Sequence, residues 1–113
     1  MKTTKAEFKR YIESFKSWQN LLNLRDFEVV FEHKKLTDAY ACLNTNLDGR
    51  LAVTTLSSDI PQASLNGWNS PEHCALHEVL HLFLLKLLGE SFPAENLDSE
   101  KTEGAVRVLE KLL

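Results

Sequence analysis

"PEHCALHEVLHLFLLKLLG", residues 71–89, reads as a helix with apolar residues almost all round, yet it carries His73, His77, Glu78 and His81. A helix of that composition is a buried one. Protonatable side chains are costly inside it unless something pairs with them. Its ends are marked in the sequence. Ser70 suits the N-cap and Pro71 the first helical position. Gly89 suits a left-handed C-terminal cap, and Pro93 keeps the following loop non-helical.

Upstream, "TTKAEFKRYIESFKSWQNLLNL" places Phe8, Tyr11, Ile12, Phe15, Trp18, Leu21 and Leu22 at helical spacing. Thr4 with Glu7 three residues on fits a capping box. This aromatic face is expected to pack inward rather than to form a ligand platform. "FEVVFEH" (27–33) is β-branched and aromatic and reads as a strand. "YACLNTNL" (40–47) and "RLAVTTLS" (50–57) flank Asp48-Gly49, which predicts a two-residue hairpin turn. Residues 58–69 read as a polar connection. A last helix from about Asp98 to Leu113 has Ala105, Val106, Val108, Leu109, Leu112 and Leu113 as its expected packing stripe. The order is helix, three strands, helix, helix. It predicts one α+β domain over residues 1–113, with a small, mainly antiparallel three-stranded sheet.

The chain has 113 residues, a net charge of −3 and no basic block, so neither nucleic acid nor an anionic membrane surface is an expected partner. Two cysteines, Cys42 and Cys74, make no disulfide framework. The first residues are amphipathic and polar, without the apolar run of a signal peptide. The longest apolar run is too short for a membrane span. The expected location is the cytoplasm.

Residues 77–81 read His-Glu-Val-Leu-His, an H-E-x-x-H motif. A shuffled chain of this composition yields that pattern only about once in a hundred. Residues four apart on a helix lie one above the other, so His77 and His81 can offer two imidazoles to one zinc ion. Glu78, one step round the helix, can serve as a general base without being a ligand.

A catalytic zinc needs a third protein ligand. No histidine follows His81, and positions 84 and 87 are leucines, which excludes the longer metzincin motif. His73 lies on the same helix face, where three stacked ligands surround a tetrahedral ion poorly. It is expected on the substrate side or behind a ligand. On the last helix, Glu103 sits at the flank of the expected stripe, Glu100 nearly opposite it, and Asp98 near the helix start. Glu103 is the preferred ligand and Glu100 the reserve, while Asp98 is expected to cap the helix or orient an imidazole.

"ALHEVLHLFLLKLLG" (75–89) followed by "SEKTEGAVRVLEKLL" (99–113) resembles the gluzincin pattern of metallopeptidases, with a glutamate ligand on a second helix. More narrowly, the chain resembles small phage-associated metallopeptidases of about this length, which begin with an aromatic-rich helix and a strand like "LRDFEVVF" (24–31). The resemblance implies a minimal zincin-like fold in which the edge strand of a small sheet borders the cleft. It implies His77, His81 and Glu103 as ligands of one zinc ion, Glu78 as base, and the host cytoplasm for a phage-encoded chain. Thermolysin-like gluzincins carry an Asp four residues after the glutamate ligand to support a zinc histidine. Here that position is Arg107.

The expected activity is zinc-dependent hydrolysis of a peptide or protein substrate. Tyr40, His73, His33 and Arg107 are the candidate oxyanion partners. A substrate strand is expected beside "RLAVTTLS", on condition that this segment is a sheet edge. The alternative is a non-catalytic, zinc-stabilised binding module with a degenerate site, and a third reading is metal-dependent hydrolysis of another bond.

Overall fold

A computed structural model describes residues 1–89 and 99–113, with side chains described for 1–88 and 103–113. Helix α1 (Lys5–Leu21) is followed by strands β1 (Glu28–Lys34), β2 (Ala41–Asn46) and β3 (Leu51–Ser57). A 3-10 helix η1 (Gln62–Gly67) then leads to helices α2 (Pro71–Gly89) and α3 (Ser99–Leu112). The α+β architecture of the sequence reading is present. The 3-10 helix lies in the segment read as a polar connection.

Local rules account for the element ends. The capping box at α1 is complete: Glu7 N–H donates to Thr4 Oγ1 and Thr4 N–H to Glu7 Oε1, both at 3.0 Å. Asn23, with φ of 58°, closes the other end in the left-handed region that Asn tolerates. At α2, His73 N–H donates to Ser70 Oγ at 3.1 Å, which makes Ser70 the N-cap.

The sheet corrects two expectations. Its order is β1-β3-β2, with β1 parallel to β3 and β2 antiparallel to it. The sheet is therefore mixed rather than mainly antiparallel. Strand β3, which holds "LAVTTLS", is central, so no substrate strand can pair with it; among the described residues β1 and β2 are the edges. The burial of Ala52, Thr54, Thr55, Leu56 and Ser57 follows from that central position. The hydroxyls of Thr54 and Ser57 are satisfied locally: Thr54 Oγ1 donates to Cys42 O at 3.1 Å, and Ser57 Oγ to Asp59 O at 2.9 Å.

The hairpin also differs from its prediction. The ladder ends at Asn46 opposite Leu51, leaving a four-residue loop instead of two. Asp48 and Gly49 do sit at the loop's centre, in a turn closed by Arg50 N–H to Leu47 O at 3.3 Å. The left-handed residue is Arg50, with φ of 50°, and not Gly49. An ordinary turn followed by one left-handed residue brings the strands back into twist without a primed turn.

Helix α2 is buried from two directions. Cys74, Ala75, Val79 and Leu82 join Tyr11 and Phe15 of α1 and Ala41, Ala52 and Leu56 of the sheet in one core cluster. Leu76, Leu80 and Leu84 form a second cluster with Val106 of α3, flanked by Trp18, Leu22 and Leu109. The aromatic face of α1 packs inward, as its spacing predicts, although Leu21 stays exposed.

Helix α3 does not bury the stripe that periodicity selects. Val106 is fully buried, but Val108 and Leu112 are 59% and 75% exposed, and Ala105 also faces solvent. At 100° per residue, Glu103 and Glu110 share one face with Val106 beside them, and Ala105, Val108 and Leu112 lie roughly half a turn away. The face that meets α2 is thus the one bearing the acids. Deleting methyl groups should separate the two faces. Val106→Ala is expected to cost roughly 1.5–2.5 kcal/mol in urea unfolding, and Val108→Ala less than about 0.5 kcal/mol.

Candidate metal centre

The two helices set the geometry of the motif. His77, Glu78 and His81 occupy the middle of α2, and all three are buried. The same face continues towards the helix start with His73. Helix α3 runs antiparallel alongside, so Glu103 meets His81 and His77 while Glu110, seven residues on, meets His77 and His73.

Three donors converge. His77 Nε2 lies 3.0 Å from Glu103 Oε1, His81 Nε2 lies 2.9 Å from Glu103 Oε2, and the two Nε2 atoms are 3.2 Å apart. Two imidazole nitrogens that close, with a carboxylate across from both, need a proton or a cation between them. His77, His81 and Glu103 form a group that could hold a metal ion, with one ligand atom from each within 4.8 Å of the others. The nitrogen–oxygen donor set suits a divalent cation.

Glu78 lines the adjoining cavity of about 670 Å³ without joining the donor group. Burial pushes its carboxyl up to about 8, and the negative charges of Glu103 and Glu110 add to the rise. Burial also lowers the His81 imidazole below its ordinary value, helped by His77, while Glu103 pulls the other way.

The remaining sequence candidates divide. Tyr40, just before β2, lines the cavity with its ring edge-on to Trp68 at 6.1 Å. Burial raises its phenol to about 12, so it stays a donor at neutral pH. Gly67 permits this placement, because a Cβ there would lie 3.1 Å from Tyr40 Cε1. Arg107 lines the same cavity and approaches Glu103 Oε1 at 3.5 Å, with its side chain 72% exposed. His33 is remote from the cleft: it bonds Thr3 Oγ1 at 2.8 Å and stacks on Phe8. It drops out as an oxyanion partner. His73 is drawn towards Glu110 Oε2, 3.3 Å away, and is not in the donor group. The reserve ligand Glu100 lies in α3 but its side chain is outside the described residues, and Asp98 is outside them altogether.

One group escaped the sequence reading. Glu110 accepts a hydrogen bond from His77 Nδ1. Its signal was spacing: seven residues from Glu103, two turns along the same face, matching the His73–His77–His81 ladder. The apolar stripe of α3 drew attention to the opposite face. Cys74 is buried as well, and burial pushes its thiol well above the ordinary range, which disfavours the thiolate.

Compared with protein-family models, with curated proteins and with solved structures, the chain gives no match. Among the described residues, no helix is long and apolar enough to cross a membrane.

The raised carboxyl of Glu78 has a consequence for stability. The folded state keeps this proton up to about pH 8, whereas the unfolded chain releases it near 4.5. Folding stability contributed at this site therefore falls as pH rises from about 4.5 to about 8. In chelator-treated protein, Glu78→Gln is expected to raise the urea midpoint above wild type at pH 8. The two midpoints should converge towards pH 4.5. The His81 shift is common to both proteins and cancels in the comparison.

Proposed function

We propose that this protein is a zinc-dependent peptidase in which His77, His81 and Glu103 hold one zinc ion and Glu78 is the general base. The observation that carries the reading is the convergence of three donors beside a buried carboxylate that is not one of them, all opening on one cavity. Zinc ligand distances near 2.0–2.1 Å imply donors roughly 3.3 Å apart on a tetrahedron. The two imidazole nitrogens are 3.2 Å apart, and each faces its own oxygen of Glu103, at 3.0 Å for His77 and 2.9 Å for His81. Among the described residues three protein ligands converge, which is the catalytic pattern, since structural zinc sites are closed by four.

Zinc held there would supply a Lewis acid for the scissile carbonyl and acidify the attacking water. The positive charge of a zinc ion held there would favour the ionised form of Glu78, which would take the proton from that water and return it to the leaving nitrogen. Tyr40, protonated and facing the cavity, donates to the developing oxyanion. A peptide fits the edge of the sheet that borders this cavity. Residues Ala41–Thr45 of β2 line it, and among the described residues β2 pairs on one side only, with β3. An extended substrate adds along β2 through main-chain hydrogen bonds, so the strand that receives it is β2 and not β3.

Glu78→Gln tests the assignment. The variant should retain one zinc per chain, measured by elemental analysis, and lose about 10²–10⁴-fold in hydrolysis of a peptide library followed by mass spectrometry. A zinc-bearing variant with undiminished activity removes Glu78 from the mechanism. Zinc-loaded wild-type protein that cleaves no peptide leaves the non-catalytic binding module in its place. A chelator should abolish cleavage, and added zinc should restore it.

A further inference from the structure

His77 presents its two ring nitrogens to two different carboxylates. Nε2 lies 3.0 Å from Glu103 Oε1 and 3.2 Å from His81 Nε2, so it belongs to the donor group. Nδ1 is hydrogen-bonded to Glu110 Oε1. An ionised carboxylate only accepts, so this bond places a proton on Nδ1 and leaves the Nε2 lone pair free for a ligand bond. We infer that Glu110 is the positioning residue of the metal centre, fixing the tautomer and the ring plane of His77. The inference rests on the reading of His77, His81 and Glu103 as a zinc site.

Glu110 is itself held in place. Its side chain is only 12% exposed, and its second oxygen, Oε2, lies 3.3 Å from His73 Nε2. The contacts run His73, Glu110, His77 from the half-exposed mouth of the cleft to the donor group. This assigns His73 a role that its place in the motif helix left open: it steadies the carboxylate behind the ligand. No other described acid takes Glu110's place at Nδ1. Glu103 is engaged on the Nε2 side, and Arg107, the residue four after Glu103, cannot accept a hydrogen bond. Support for the zinc histidine comes from seven residues after the glutamate ligand, where the turn of α3 returns to the same face.

Hydrogen-bonded partners behind a ligand histidine are worth about 10–100-fold in metal affinity. Zinc affinity of the full chain, measured by competition with a chromophoric chelator, should fall by about that factor in Glu110→Ala. Glu110→Gln keeps one accepting oxygen and should recover part of the loss. Nitrogen-15 NMR of the zinc-loaded wild-type protein supplies a readout that needs no variant. It should find His77 protonated on Nδ1 and metal-bound through Nε2. Wild-type protein that binds zinc with an affinity equal to that of Glu110→Ala, or a His77 ring bound through Nδ1, overturns the role of Glu110 alone. Wild-type protein that binds no zinc overturns the zinc reading and this inference together.

Discussion

Everything in this molecule depends on α2 being enclosed from two sides. Leucine and valine side chains pack one flank onto α1 and the sheet, and the other onto α3. Between those flanks runs the row His73, His77, His81, with Glu78 beside it. The apolar packing holds the imidazoles in register, since a core at crystal-like density leaves few alternative rotamers. It also removes water from carboxylates and imidazoles that prefer it. The raised carboxyl of Glu78 and the lowered imidazole of His81 are two expressions of that one constraint.

The electrostatic consequence falls on α3. Burying His77 and His81 without partners would be expensive. The helix that covers them brings Glu103 and Glu110 to the same face and turns Ala105, Val108 and Leu112 outwards. A short amphipathic helix has thus been docked by its acids as well as by Val106 and Leu109. Exposing the apolar side of α3 is the cost of placing two carboxylates against one imidazole. Sites that gather like charges and buried titratable groups trade stability for chemistry in this way.

The sheet serves the same cleft from the opposite wall. Because β3 inserts between β1 and β2, the hairpin partner β2 becomes an edge. That edge, with Tyr40 at its start and Gly67 of the 3-10 helix against the Tyr40 ring, borders the cavity into which Glu78 opens. The proposed peptide substrate and the proposed catalytic groups meet there, with main-chain hydrogen bonding on one side and the donor group on the other.

What could be read from the sequence was whatever is local. The starts of α1 and α2, the H-E-x-x-H register on one helix face and the existence of three strands all follow from spacings under about a dozen residues, where backbone geometry ties sequence position to direction. Glu103 was reachable because a second helix with few acids narrows the choice. The parallel pairing of β1 with β3, the edge position of β2, the docking face of α3 and the contact of Glu110 with His77 were not. The parallel pairing, the helix docking and the Glu110 contact each join residues more than twenty positions apart. Their outcome turns on which faces are buried together, and one helical stripe cannot report the imidazoles waiting on its neighbour. The sequence by itself determined the row of imidazoles on α2 and the carboxyl of Glu78 beside it. Tertiary packing decided which carboxylates complete it, because only in the folded chain does leaving a buried imidazole unpaired carry a penalty.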